Sequence, residues 1–181
     1  MTSLETPAEN DGAMRMGSIA GKAEGERFRG AMRELAAGVS LVAAGQGERR
    51  SGCTVTSITS LSLEPPTLVL CIGLKSATLA ALREFGAFGV SVLAAAEGGL
   101  AERFSGRSGI HGPERFAAGD WIELITGAPL LRDAAAAIDC AVEEVLERHT
   151  HAIVIGRVRA VHLGGHAPAL VHWRGGFASL D

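Results

Sequence analysis

The stretch CTVTSITSLSL at residues 53–63 decides the fold, because it combines strand-like alternation with an unusual density of hydroxyl groups. Successive side chains of a strand point to opposite faces. In one continuous strand, Thr54, Thr56, Ser60 and Ser62 would share a face with Ile58, and Cys53, Val55, Leu61 and Leu63 would lie opposite. One face would then pack on a core, and the other would present hydroxyls to a ligand rich in acceptors. The alternative is that threonine simply favours strands.

The sequence on either side of this stretch predicts mostly short strands. Strands are expected at residues 39–44, 67–73, 88–93, 121–125, 138–147, 151–163 and 169–173, helices at 27–37, 76–85 and 95–104, and a helical turn at 129–137. A doubly wound sheet would need helices alternating with strands throughout, and here strands follow one another directly. The pattern predicts a mainly β fold, a mostly antiparallel barrel with a few covering helices.

Length and composition set the class of protein. The chain has 181 residues with a net charge of −3, six Phe, two Trp and no Tyr. Residues 1–24 lack apolar periodicity and are expected to form a mobile tail before one domain at 25–181. Few aromatic residues and no block of positive charge argue against nucleic acid as a partner. No apolar run suits a membrane span or a secretory signal, so a cytoplasmic location is expected.

The segment KSAT at residues 75–78 is a candidate anion site. It immediately precedes a predicted helix, where Ser76 can act as the N-cap and the first backbone N–H groups face outward. A lysine and two hydroxyls at such a helix start suit a phosphate. The alternative is an ordinary N-cap beside a solvated lysine.

Two histidines raise the question of a metal. His149 and His151 are separated by one residue and would share a face of one strand. No carboxylate or thiol stands nearby at a recognisable ligand spacing, so no metal site is expected. The signatures of P-loop NTPases, Rossmann dehydrogenases, serine hydrolases and zinc peptidases do not occur in the sequence. The three cysteines form no C-x-x-C pair and are expected to be buried thiols.

Taken together, the motifs resemble those of the short-chain flavin reductases, which are the reductase components of two-component flavin monooxygenases and are built on the FMN-binding split barrel. The motifs are RELAAGV at 33–39, TVTSITSLS at 54–62 followed by Pro65-Pro66, KSAT at 75–78, FSGR at 104–107, ERF at 114–116, Trp121, TGAP at 126–129, IDC at 138–140, Thr150-His151 and the stretch at 170–180. Each motif is loose, but their order and spacing over residues 26–181 are specific.

The resemblance implies a homodimer of Greek-key-like split barrels, with FMN (or FAD) near the subunit interface and NADH or NADPH as co-substrate. Carried over residue by residue, it places Thr54, Val55, Thr56 and Ser57 around the flavin ring, Ser60 and Leu61 at the ribityl and phosphate side, and Lys75, Ser76 and Thr78 near the phosphate. His151 and Phe177 would contact the nicotinamide dinucleotide. At the last position the family often has Tyr, so any polar role of that hydroxyl is lost here.

The function implied is transfer of hydride from NAD(P)H to flavin, with reduced flavin passing to a partner monooxygenase. Hydride transfer needs stacked rings at close range and no protein nucleophile, so the lack of a triad or acid–base pair is expected. Two alternatives remain at this point. One is a relative that passes electrons to a corrin or metal centre, and the other is a non-catalytic flavin- or haem-binding split-barrel protein.

Overall fold

The computed structural model describes residues 11–181, with side chains from residue 21 onwards. The helices are α1 (Asp11–Arg33), α2 (Ala77–Phe85) and α3 (Gly98–Phe104), with short 3-10 turns at Gly47–Arg49, Ala95–Glu97 and Gly112–Ala117. The strands are β1 (Ala37–Gly38), β2 (Ser40–Ala44), β3 (Ser51–Val55), β4 (Ile58–Leu63), β5 (Pro66–Gly73), β6 (Ala87–Val92), β7 (Trp121–Glu123), β8 (Pro129–Leu131), β9 (Ala136–Arg148), β10 (His151–Leu163), β11 (Ala169–Trp173) and β12 (Gly176–Leu180). The mainly β prediction is confirmed.

A seven-stranded antiparallel sheet forms the body, in the order β3-β2-β6-β9-β10-β5-β4. A three-stranded sheet, β1-β11-β12, and the small pair β7-β8 accompany it. The sheet is not closed into a complete barrel, because β3 and β4 form its two edges and are not paired with each other. This is the geometry of a barrel with one seam left open, as the split-barrel expectation requires.

The stretch at residues 53–63 crosses that seam, and the prediction of one continuous strand is wrong. β3 ends at Val55, which pairs with Ser40, and β4 begins at Ile58, which pairs with Leu70. Thr56 and Ser57 connect the two edges. Ser57 leaves the strand geometry because its hydroxyl donates to the carbonyl of Cys71 at 3.0 Å and accepts from the Cys71 amide at 3.3 Å. Such local hydroxyl–backbone bonds compete with a regular ladder.

Two apolar clusters hold the sheet and its coverings together. The first fills the curved sheet under α2 and includes Leu70, Leu82 and Phe88, all fully buried. The second lies under α3 and contains the rings of Phe104 and Phe116, which meet edge to face with their centroids 5.0 Å apart. Burying such large side chains stabilises each by roughly 1.5–3 kcal/mol relative to exposure. Both clusters therefore fix the elements around the seam.

Helix α1 differs from its prediction in extent and in packing. The expected helix at 27–37 begins instead at residue 11 and ends at Arg33, so no change of secondary structure marks the predicted boundary at residue 24. Residues 1–10 of the predicted tail lie outside the described residues. Phe28 and Met32 lie one helical turn apart on α1, but Leu35 follows the end of the helix, and the three are 68%, 47% and 58% exposed. This apolar surface is not buried against its own chain.

Two further predictions are corrected near the C-terminus. The helical turn expected at 129–137 is strand β8 followed by a turn and the start of β9, and residues 176–180 form the additional strand β12. Asp139 explains the first difference, because this fully buried carboxylate accepts hydrogen bonds from the amide and the hydroxyl of Thr126. The anchored turn directs Pro129 into a strand pairing, and this tertiary pairing overrides the local helical preference of the alanines.

Within residues 11–181, no helix is both long enough and apolar enough to cross a membrane.

Candidate functional site

The seam crossing supplies the centre of the candidate site. Val55 is 8% exposed and belongs to the core, whereas Thr56 and Ser57 are exposed. The hydroxyl of Thr54 donates to the carbonyl of Ala101 at 2.7 Å, so this side chain ties β3 to α3. Of the four ring-contact residues implied by the resemblance, Thr56 and Ser57 therefore offer accessible groups, while Thr54 and Val55 mainly hold the crossing in place.

The start of α2 lies against β3, close to the crossing. Ser76 caps the helix by accepting from the Thr78 amide at 3.2 Å, and Lys75 is exposed just before it. The Thr78 side chain is 2% exposed and its hydroxyl lies 3.2 Å from that of Ser51 on β3. Lys75 and the capped helix start are thus available to an anion, and the Thr78 hydroxyl is engaged in packing.

Cys53 lies beneath this helix start. Burial raises the pKa of its thiol above the ordinary value, and hydrogen bonds from Thr78 and Ser76 offset part of that rise. A thiol with a raised pKa is mostly protonated at neutral pH and is a poor nucleophile. Cys53 therefore serves packing between β3 and α2. The expectation of three buried thiols holds for Cys140 alone, because Cys53 and Cys71 are only half-buried.

His151 lies next to the same helix start, although it is distant in sequence. It is the first residue of β10 and pairs with Gly73, the last residue of β5. The turn that leads to Lys75 begins directly after Gly73. Its Nδ1 lies 2.9 Å from the hydroxyl of Thr150, and the side chain is exposed. His149 has a positive φ of 52° in the preceding turn, so the two histidines do not share a strand face as supposed.

Ser60 and Leu61 lie on the other side of the crossing, along β4. Ser60 pairs with Leu68, five residues before Gly73 on β5, which corresponds to about 17 Å of strand. Leu61 sits at a bulge and is 55% exposed. Within one chain, the structure thus groups Ser57, Lys75, Ser76 and His151 and separates Ser60 and Leu61 from them.

Phe177 lies on a groove that begins at the crossing and extends away from α2. A cavity of about 200 Å³ is lined by Thr54, Thr56, Ser105, Arg107, His172 and Phe177. It adjoins a second cavity of about 410 Å³ between the end of α1 and residues 56–57, and both share Thr56, Arg107 and His172. His151 does not line either cavity, so the two residues implied for the nicotinamide lie apart within one chain.

The groove includes residues that sequence reasoning did not select. Arg29 and Arg33 come from α1, Arg107 from the loop after α3, and His172 from β11. Arg107 stands in the FSGR motif, and Arg33 opens the RELAAGV motif, so both were visible as matches without an assigned role. Only the fold shows that these distant segments meet at the seam crossing.

The polar groups present suit a flavin nucleotide. Thr56 lies between the last residue pair of β3 and the first pair of β4, so it is paired in neither strand ladder. A flavin ring presents acceptors along one edge, and protein hydrogen bonds to that edge tune its electronics. The capped helix start with Lys75 nearby suits a phosphate. Groups suited to a ring and groups suited to a phosphate thus both lie around β3.

Comparisons with known proteins identify similar chains over most of this sequence. A protein-family model described as flavin reductase like domain matches residues 32–181. A curated relative from Variovorax paradoxus, named FMN reductase (NADH) RutF, is 34% identical over 146 residues, which are 81% of this chain and 80% of that protein.

Two solved structures are similar over most of the chain. BorF, the flavin reductase component of a bacterial two-component tryptophan halogenase, is 34% identical with a TM-score of 0.80, covering 87% of this chain and 98% of that one. An NADH:FAD oxidoreductase of Streptomyces globisporus, solved with NAD and FAD fragments, is 29% identical with a TM-score of 0.77, covering 85% of this chain and 91% of that one. The chain belongs to the family of flavin reductase like domains.

Proposed function

We propose that this protein transfers hydride from NADH to FMN and releases reduced flavin to a partner monooxygenase. The observation that carries the proposal is that the TVTS crossing, His151 and Lys75 all lie around the end of β5. Ser57 bonds to Cys71, His151 pairs with Gly73, and Lys75 follows Gly73 by two residues. The names of the relatives support NADH and FMN, and the solved neighbours that are components of two-component systems support a partner enzyme.

The residues of this chain have distinct tasks in that reaction. Thr56 holds the flavin ring through its hydroxyl and Ser57 through its backbone N–H, because the Ser57 hydroxyl already donates to Cys71. Lys75 and the amide of Ala77 hold the phosphate, since the amides of Thr78 and Leu79 bond to Ser76. When bound, FMN supplies a ring that accepts hydride and needs no acidic or basic side chain for that step. The protein contributes orientation, which brings the two rings into near-attack contact and excludes solvent.

His151 orients the nicotinamide in this proposal. The two ring nitrogens of His151 have different surroundings. Nδ1 is hydrogen-bonded to the Thr150 hydroxyl, whereas Nε2 lies over the end of β5 near Gly73. Nε2 is thereby left to bond a carboxamide or ribose hydroxyl. The His151→Ala variant should bind FMN normally by fluorescence and reduce it more slowly at a given NADH concentration; an unaltered rate and NADH dependence would contradict the role.

The proposal includes a homodimer. An apolar groove of about 340 Å³ follows β4 and β5 and is lined by side chains such as Ile58, Leu63 and Val158. Leu63 is 82% exposed, and Val161, the cross-strand neighbour of the groove residue Ile138, is 53% exposed. Large open apolar surfaces are rare on monomers. A second copy of the chain, packed on this groove and on the exposed apolar side of α1, would cover both surfaces.

Reduction of flavin by the purified protein tests the activity. Anaerobic mixing with FMN and NADH should bleach the flavin absorbance with a rate proportional to enzyme, and NADPH in a parallel series gives the nucleotide preference. A flavin- or haem-binding module would leave the flavin oxidised, which would overturn the proposal. Faster anaerobic transfer to a corrin or ferric complex than to free flavin would favour the alternative electron-donor function.

A further inference from the structure

The groove beyond the seam crossing concentrates positive charge in a chain that is negative overall. The net charge of the chain is −3, yet Arg29, Arg33 and Arg107 all line the larger cavity, and no Asp or Glu lines it. The ion pairs formed within the described residues involve Arg49, Arg83, Arg132 and Arg174. The three groove arginines are therefore uncompensated by partners in the described part of the chain.

The arginines of the groove come from two elements. Arg29 and Arg33 are four residues apart on α1, so they lie on one helix face. Arg107 lies on the loop after α3, where the Ser105 hydroxyl accepts from the Arg107 amide at 3.3 Å and holds the turn. A guanidinium group can donate two parallel hydrogen bonds to phosphate oxygens, so three arginines lining one cavity suit a group with two negative charges.

The position of the groove indicates which phosphates it would take. Its wall includes Thr56 and Ser57, so it adjoins the proposed position of the flavin ring, and Lys75 does not line it. FMN carries one phosphate, for which the helix start near Lys75 is the proposed site. A second anion site needs a second source of phosphate.

The dimensions of the groove fit a nucleotide. The two adjoining cavities measure about 410 and 200 Å³, and the larger alone lies within the range of ligand pockets. At the inner end, the rings of His172 and Phe177 lie 5.8 Å apart and edge to face, which leaves aromatic surface for a heterocycle.

We infer that Arg29, Arg33 and Arg107 bind the diphosphate of a dinucleotide whose reactive ring lies at the seam crossing. This inference rests on the proposed flavin reductase activity. The diphosphate belongs either to NADH or to FAD, and both present the same charge to the groove.

The test combines binding and selectivity. The variants are Arg107→Ala and the double variant Arg29→Ala/Arg33→Ala, and the matched control is Arg27→Ala, an arginine of the same helix outside the groove. ADP, which carries the diphosphate and no redox ring, is titrated calorimetrically into flavin-free protein. Loss of a charge-assisted contact should weaken ADP binding by about 10-fold or more in both variants and leave the control unchanged.

Kinetic arms identify the source of the diphosphate. With FMN as acceptor, NADH is compared with N-benzyl-dihydronicotinamide, a hydride donor without phosphate. A fall of about 10-fold in the preference for NADH assigns the groove to the nicotinamide dinucleotide. A matching loss of FAD affinity relative to FMN, with NADH preference retained, assigns it to the flavin dinucleotide.

Two results would overturn the inference. One is ADP affinity, NADH preference and FAD affinity in the variants equal to those of Arg27→Ala. The other is a loss of FMN affinity relative to riboflavin, which would assign the arginines to the flavin monophosphate. Failure of the underlying activity is recognised separately, because the wild-type protein would then reduce no flavin with either hydride donor.

Discussion

The two halves of the stretch at residues 51–63 have similar sequences and opposite environments. β3 is an inner-facing strand paired with β2, in which Gly52 and Val55 are buried. β4 carries the exposed Leu61 and Leu63 and a bulge against β5. Alternation of hydroxyl and apolar residues thus produces a core strand on one edge of the sheet and an open apolar edge on the other. The difference comes from the elements that pack against each edge strand.

The largest expected effect comes from crowding the β3 half. A Cβ at Gly52 would lie 2.9 Å from Cε1 of Phe104 and 3.1 Å from the carbonyl oxygen of Val42. Gly52→Val should lower the free energy of unfolding by about 3 kcal/mol, because neither the buried ring nor the backbone can move freely. Ser60→Val, the matched change on exposed β4, should stay within about 0.5 kcal/mol. Urea denaturation measures both, and equal losses would refute the contrast.

The next effect concerns the open β4 edge. If a second copy covers this surface, Leu63→Asp buries a charge in the interface and should weaken dimerisation by at least about 2 kcal/mol. Ile125→Asp is the control, since Ile125 is also an exposed apolar residue, at 67%, and lies outside the groove. Sedimentation at several concentrations compares the two variants. A wild-type protein that stays monomeric at micromolar concentration would count against the dimer.

Much of the fold was accessible from local patterns. Most strands and the α2 and α3 regions were predicted, because their apolar spacing and their Gly or Ser boundaries agree with the final packing. The break at Thr56-Ser57 was not, since it depends on Cys71, which is fourteen residues away along the chain. The anchored turn at Thr126 was not predicted for the same reason, because its hydrogen-bond partner is the buried Asp139, which is distant along the chain.

The candidate site was predictable only in part. Hydroxyls at a crossing and a lysine before a helix are visible as motifs, so Ser57, Lys75 and Ser76 could be selected from the sequence, and their contacts with flavin stay a prediction. The burial of the Thr78 hydroxyl and the meeting of Arg29 with Arg107 are properties of the assembled fold. No spacing along the chain reports them.

A smaller effect separates Lys75 from Thr78 at the start of α2. Lys75→Ala should weaken FMN relative to riboflavin by about 1 kcal/mol, roughly 5-fold, because only FMN carries the phosphate. Thr78→Val should leave that ratio unchanged and cost about 1 kcal/mol of stability, since it leaves the Ser51 hydroxyl without its partner. Fluorescence titration with both flavins and urea denaturation give the two readouts. A changed FMN-to-riboflavin ratio in Thr78→Val would place this hydroxyl at the phosphate after all.

The smallest effect is the order in which the three cysteines react, which compares the two sides of the seam without any substitution. Cys140 is fully buried, and burial raises the pKa of its thiol to about 12, so it should be alkylated only when the protein unfolds. Burial also raises the pKa of Cys53 on β3 above its ordinary value of 9.0. Because only the thiolate reacts, labelling of Cys53 should be slow at pH 8 and keep accelerating above pH 9. Cys71, whose backbone is bonded to exposed Ser57 at the crossing, should be labelled first. Iodoacetamide labelling followed by peptide mass spectrometry gives the order, and modification of Cys53 before Cys71 would show that the β3 side opens more readily than the crossing.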